Sequence, residues 1–146
     1  MTTAPRSSLA PELPFKYVAG DPALDLINTV DWTSDGPARD RLTDYDRLTR
    51  WAEGAGLLLP RLGAKFRTSA TERPRAAESA LGAAKALRWN LRQIFLAVAR
   101  GESPAKLPET AELNESLTTA LAQLQLVGVT SGPAGGPALQ WSWRDA

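Results

Sequence analysis

Apolar residues recur at helical spacing in four stretches of this chain and alternate in shorter runs near its two ends, a pattern that predicts a predominantly helical α+β fold. The first helix is expected from about Pro22 to Val30. At 100° per residue, Leu24, Leu26, Ile27 and Val30 gather on one arc, with Asp25, Asn28 and Thr29 on the opposite one. Asp, Asn and Thr are mediocre helix formers, and a solvated face would more naturally carry Glu, Lys or Arg. The polar arc is therefore expected to meet buried polar partners or a ligand. The plainer reading is a solvated face with Asp21 or Asp25 capping the helix.

A short strand is expected over Phe15–Val18, and the dense turn residues of Asp31–Pro37 read as a loop, with Trp32 as a packing anchor. The second helix begins at Thr43 or Asp44, carries Tyr45, Leu48, Trp51 and Ala52 at helical spacing, and ends at Gly54 and Gly56. Residues 61–71, basic and rich in Gly, Ser and Thr, read as a mobile connection. A long third helix follows from near Glu72 to Arg100, stopped by Gly101. The fourth spans Pro108 to about Leu124, where Leu113, Leu117, Leu121 and Leu124 form a stripe expected to pack in the core. Leu126–Thr130 and Ala138–Trp143 close the chain as a hairpin with a flexible tip over 131–137, and Trp141 and Trp143, on one strand face, are expected to cover the helices.

The third helix has an apolar stripe of Ala84, Leu87, Leu91, Ile94, Phe95 and Val98. Arg88 and Arg92 lie beside that stripe, one turn apart, with Trp89 and Leu96 beyond them. Guanidinium groups bracketed by apolar surface are drawn into partial burial, where an isolated charge needs an anion. Asp25 is the nearest candidate partner, and arginines that only snorkel over a core edge are the alternative. Asn114, beside the leucine stripe, can bond a neighbouring helix or a ligand.

Composition narrows the chemistry. The chain of 146 residues is sized for one domain, with residues 1–14 as a flexible tail and 15–146 as the domain. It has neither Cys nor His, which excludes thiol nucleophiles, disulfides, zinc-finger sites and His acid–base catalysis within these residues. No nucleophile with an adjacent base stands out, so an enzyme is not expected. No cofactor or metal site is expected either. The net charge is +1, but residues 61–100 hold nine basic against two acidic side chains and the flanks are acidic, a balance better suited to internal pairing than to nucleic acid. No run is apolar enough for a signal peptide or a membrane span, which makes a cytoplasmic protein the expectation.

Five segments in order, Leu24-Asp-Leu-Ile-Asn-Thr-Val30, Leu48-x-x-Trp51 to Gly56, Ala86-Leu-Arg88 with Arg92, Leu113-Asn114 and Trp141-x-Trp143, resemble the ABATE domain, the N-terminal part of bacterial proteins that also carry a CGNR-type zinc finger. The resemblance implies a ligand-sensing domain of stress-induced transcription regulators. Any DNA contact would come through a C-terminal zinc finger, which this chain, without a Cys, does not carry. Asp25, Asn28, Thr29, Arg88, Arg92 and Asn114 are the family-like polar positions and also those singled out by helical spacing. The leading expectation is a small, anionic ligand held between helices by these six residues. The alternative is a structural or dimerising scaffold, a homodimer included, in which the same residues form a buried network without ligand.

Overall fold

A computed structural model describes residues 14–130 and 135–144. The element order is α1 (Pro22–Ile27), β1 (Val30–Thr33), β2 (Gly36–Asp40), α2 (Tyr45–Gly54), α3 (Pro60–Glu72), α4 (Pro74–Ala99), a 3-10 turn (Pro104–Lys106), α5 (Pro108–Leu121), β3 (Leu124–Val129) and β4 (Ala138–Trp143). The fold is α+β and predominantly helical, with two separate antiparallel hairpins, β1–β2 and β3–β4. Two compact units are present, one ending at Trp89 and the other starting at Asn90, and α4 contributes to both.

In the first unit α1 is short. Asp21 caps it, accepting from the amide of Ala23 at 2.8 Å, and Pro22 occupies the first turn, where its missing N–H costs nothing. The helix ends at Ile27 because the chain turns at Asn28 into a strand, so Val30 and Asp31-Trp-Thr33 belong to a hairpin and not to a helix and loop. Ser34-Asp35 makes its tip, followed by Gly36 at φ +119, a backbone state that L side chains rarely adopt. The register skips Ala38, so that Trp32 pairs with Pro37, and this irregularity accommodates a proline that cannot donate to the ladder. No strand forms over Phe15–Val18; that extended segment is held instead by side chains, with the Tyr17 hydroxyl donating to the Trp51 carbonyl at 3.1 Å.

α2 opens on Asp44, whose carboxylate accepts from the amide of Arg47 at 2.8 Å, and closes before Gly56 at φ +71. Residues 60–72 form α3 where composition suggested a mobile connection. Leu62, Phe66, Ser69 and Ala70 give it a half-buried side at helical spacing, and Gly63, buried, lets Glu53 of α2 lie against its backbone. A single residue, Arg73 at φ −130 and ψ 61, separates α3 from α4, because the residue before a proline is pushed out of the helical region and Pro74 follows. The apolar core of this unit is Leu26, Val30, Leu42 and Trp51.

The second unit contains the C-terminal part of α4, α5 and the β3–β4 hairpin. Gly101 at φ +73 ends α4. Asn90 donates to Glu112 at 3.0 Å, tying α4 to α5. The leucine stripe of α5 is not a buried core: Leu117 and Leu121 are each half exposed. Leu124 falls in β3. In the hairpin, Leu124 pairs with Trp143 and Leu126 with Trp141, which places these side chains with Leu139 on one face. Trp141 and Trp143 are 64% and 52% exposed, so they do not cover a helical core as expected. Of the expected flexible tail over residues 1–14 and hairpin tip over 131–137, residues 1–13 and 131–134 lie outside the described residues.

Candidate functional site

The first unit gathers three buried arginines. Arg41, Arg47 and Arg88 are all less than a tenth exposed, an arrangement that carries a large desolvation cost unless each charge is met. Arg88 enters from α4 and forms a bidentate pair with Asp40 at the end of β2, Nη1 to Oδ1 and Nη2 to Oδ2, both at 2.8 Å. Its Nη1 also donates to the Thr29 hydroxyl at 2.9 Å, and that hydroxyl donates in turn to the Leu26 carbonyl at 2.6 Å. Lys85, one turn before Arg88, reaches Asp40 Oδ2 at 3.1 Å. Asp40 further accepts from the amide of Leu42 at 2.9 Å. Burial pushes the Asp40 carboxyl upward, but these hydrogen bonds and the Arg88 charge outweigh it and hold the pKa at about 2.

Arg41 extends the hairpin, its amide donating to the Thr29 carbonyl at 2.8 Å, while its side chain pairs with Asp31 at 2.9 Å and donates from Nε to the Pro14 carbonyl at 3.0 Å. The hydrogen bond from Arg41 holds the Asp31 carboxyl below its ordinary value, with Lys16 adding to the effect. The Arg47 guanidinium lies 4.0 Å from the centroid of the Phe15 ring and donates to the Arg41 carbonyl at 3.2 Å.

These contacts reassign the polar positions singled out in the sequence. Asp25 is buried, but it does not pair with Arg88: its Oδ1 accepts from the amides of Val18 and Ala19, each at 3.0 Å, and so fixes the chain entering α1. The carboxylate that meets Arg88 is Asp40, distant in sequence and brought up by the β1–β2 hairpin, which the periodicity of a single helix could not reveal. Thr29 and Arg88 do meet. Asn28 is the half-buried cap of α1, its backbone N–H donating to the Leu24 carbonyl at 3.0 Å, while the Thr29 amide donates to the Leu26 carbonyl at 3.1 Å. Arg92, half-buried, and Asn114, exposed on α5, belong to the second unit. The Asp35-Gly36 pair between runs containing Val30, Trp32 and Ala38 was the one local signal that could have exposed the hairpin, and with it Asp40.

A cavity of about 640 Å³ lies in the same unit, away from these groups. Its walls are the start of α2 (Thr43 to Asp46), the last turns of α3 (Arg67, Ala70, Thr71) and the first turns of α4 (Pro74, Ala77, Glu78, Leu81). It is mainly apolar, with Asp44, Asp46, Glu78 and Arg67 as its charged groups. Arg67 is held by Glu53, Nη1 to Oε1 at 2.6 Å, and by Asp46 at 3.5 Å. Asp46 also accepts from Arg50 at 2.6 Å. Sequence reasoning missed this cavity because it depends on α3, which was read as a connection. A smaller cavity of about 170 Å³ shares Tyr45, Ala70 and Ala77 with it and adds Phe66 and Arg73.

The chain belongs to the ABATE family, described as "Putative stress-induced transcription regulator", whose family model matches residues 20–145. No curated protein and no solved structure matches it. Among the described residues, no helix is long and apolar enough to cross a membrane.

Proposed function

From that membership and from the geometry of the first unit, we propose that this domain is the ligand-sensing part of a transcription regulator and that the cavity between α2, α3 and the start of α4 receives the small molecule. The observation that carries this reading is the cavity itself. Its volume of about 640 Å³ lies in the range typical of small-molecule sites, and a mainly apolar wall with a few charged groups is the usual composition of such a site. The Arg88, Asp40 and Thr29 network is then the frame beside the sensor rather than the sensor: Arg88 already has a carboxylate, so an anionic ligand there would have to displace Asp40.

The shared element is α4. Pro74, Ala77, Glu78 and Leu81 wall the cavity, and Lys85 and Arg88 on the same helix hold Asp40. A ligand that favours one placement of the first turns of α4 therefore competes with, or reinforces, the ion pair two to three turns further along, and a difference in affinity between the two placements is what a signal requires. The buried network also supports the scaffold reading, because a network with partnered charges specifies packing without any ligand.

The test is a thermal-shift screen of small metabolites on the wild-type chain and on Ala77→Trp, which fills the cavity with an indole. Binding to the native state raises the melting temperature, by about 2.7 kcal/mol of added stability at a hundredfold excess over Kd. Compounds that stabilise the wild type and leave Ala77→Trp unmoved support the cavity as the site. Compounds that shift both proteins equally place the site elsewhere.

A further inference from the structure

The charges around the cavity select among ligands. Three carboxylates line it, those of Asp44, Asp46 and Glu78, against one guanidinium, that of Arg67. Arg67 and Asp46 are engaged in ion pairs with Glu53, Arg50 and each other. Asp44 is different. It accepts from the amide of Arg47 and from the Thr43 hydroxyl, and among the described residues it has no cationic partner. Glu78, exposed on α4, likewise has none among the described residues. Three helix ends meet the cavity, the first turns of α2 and α4 with positive partial charge and the last turn of α3 with negative, each about half a unit charge, so their sum is smaller than the side-chain excess of negative charge. What remains is an apolar wall formed by Ala70, Pro74, Ala77 and Leu81, the Tyr45 ring, and two carboxylates, one of them the α2 cap, without a cationic side-chain partner among the described residues.

We infer that the cavity takes an organic cation: a molecule with an apolar or aromatic body and an ammonium or amidinium group, the body against Ala77 and Leu81 and the cation between Asp44 and Glu78. This rests on the cavity being the sensory site. A like-charged carboxylate ligand would meet repulsion where the cation finds attraction, and the difference grows as the ligand's body excludes water from the cavity. The sign is opposite to that of the anionic ligand suggested by Arg88 and Arg92.

The experiment uses three probes with the same indole-ethyl body and different ends: tryptamine, tryptophol and indole-3-propionate. Each is titrated by calorimetry or NMR into the wild-type chain, into Asp44→Asn/Glu78→Gln and into Ala77→Trp. Asn keeps the α2 cap, so the double variant stays folded, which its melting curve checks. The expected result is that tryptamine binds at least tenfold tighter than indole-3-propionate, with tryptophol between. In the double variant the spread should fall to within about twofold, and in the wild type it should shrink at high salt. Equal binding of all three, a preference for the carboxylate, a preference that survives the double variant, or no binding of tryptamine overturns the inference. If all three bind equally and Ala77→Trp abolishes them, the cavity stands as a site while its cation selectivity fails; if binding persists in Ala77→Trp, the cavity reading itself fails.

Discussion

The two units of this chain differ in what they bury. In the first, among the described residues, the buried groups include more polar side chains than apolar ones: Asp25, Thr29, Arg41, Arg47, Thr49 and Arg88 beside Leu26, Val30, Leu42 and Trp51. In the second, Ala97 and Asn90 are the described residues that are buried, while Phe95, Val98, Leu117, Leu121, Leu126, Leu139, Trp141 and Trp143 are substantially exposed, more large apolar side chains than the larger first unit exposes (Tyr17, Val18, Leu57, Leu59 and Trp89). The contrast separates hydrophobicity from burial. An arginine is buried in the first unit because a hairpin delivers a carboxylate to it, and a tryptophan is exposed in the second because its strand turns it to the outer face.

The largest effect that could break this comparison comes from exchanging the tryptophans for alanine. Trp51, 5% exposed, should cost about 3–5 kcal/mol on truncation, whereas Trp141 should cost under about 1 kcal/mol. Urea denaturation of each variant measures both values. Similar losses at the two positions would mean that the exposed face of β4 is covered in solution.

Arg88→Met comes next. It keeps an apolar stem but leaves Asp40 with Lys85 as its remaining cation, and the loss should be about 3 kcal/mol, the low end for a buried pair because Asp40 is partly open to solvent. Adding Asp40→Leu should recover part of that loss. A near-neutral Arg88→Met would show that the network does not hold the first unit together.

The smallest effect is in the acid limb. Asp40 has a folded-state pKa of about 2, below the ordinary carboxylate value of about 3.9 in the unfolded chain. On acidification the unfolded chain takes up this proton first, so the stability contributed by Asp40 is complete above about pH 4 and is lost as pH falls toward 2. Asp40→Asn lacks that contribution, and its denaturation midpoint, lower than wild type at neutral pH, should converge with it across this window. A gap that stays constant from pH 7 to 2 would exclude the ionised carboxylate as the stabilising group.

The sequence by itself determined whatever depends on neighbours within a few turns. Asp44 as a cap, Gly56 and Gly101 as stops, the long helix over most of 72–100, the β3–β4 hairpin and the α+β class all follow from local propensity and periodicity, which act over the distances that a sequence window spans. The family resemblance was legible for the same reason, as short motifs in order. Tertiary structure alone decided the partners. Helical spacing marks Arg88 as a buried charge in need of an anion and points to Asp25 as the nearest carboxylate, but the β1–β2 hairpin brings Asp40 to Arg88 instead and the chain before α1 occupies Asp25. The same holds for α3, whose Gly, Ser and Thr argue against a helix in isolation but whose packing on α2 through Gly63 and the Glu53–Arg67 pair outweighs them, and which thereby creates the cavity. Propensity differs by tenths of a kcal/mol per residue, while a buried pair or a packed face is worth several, so the tertiary terms settle every position where the two disagree.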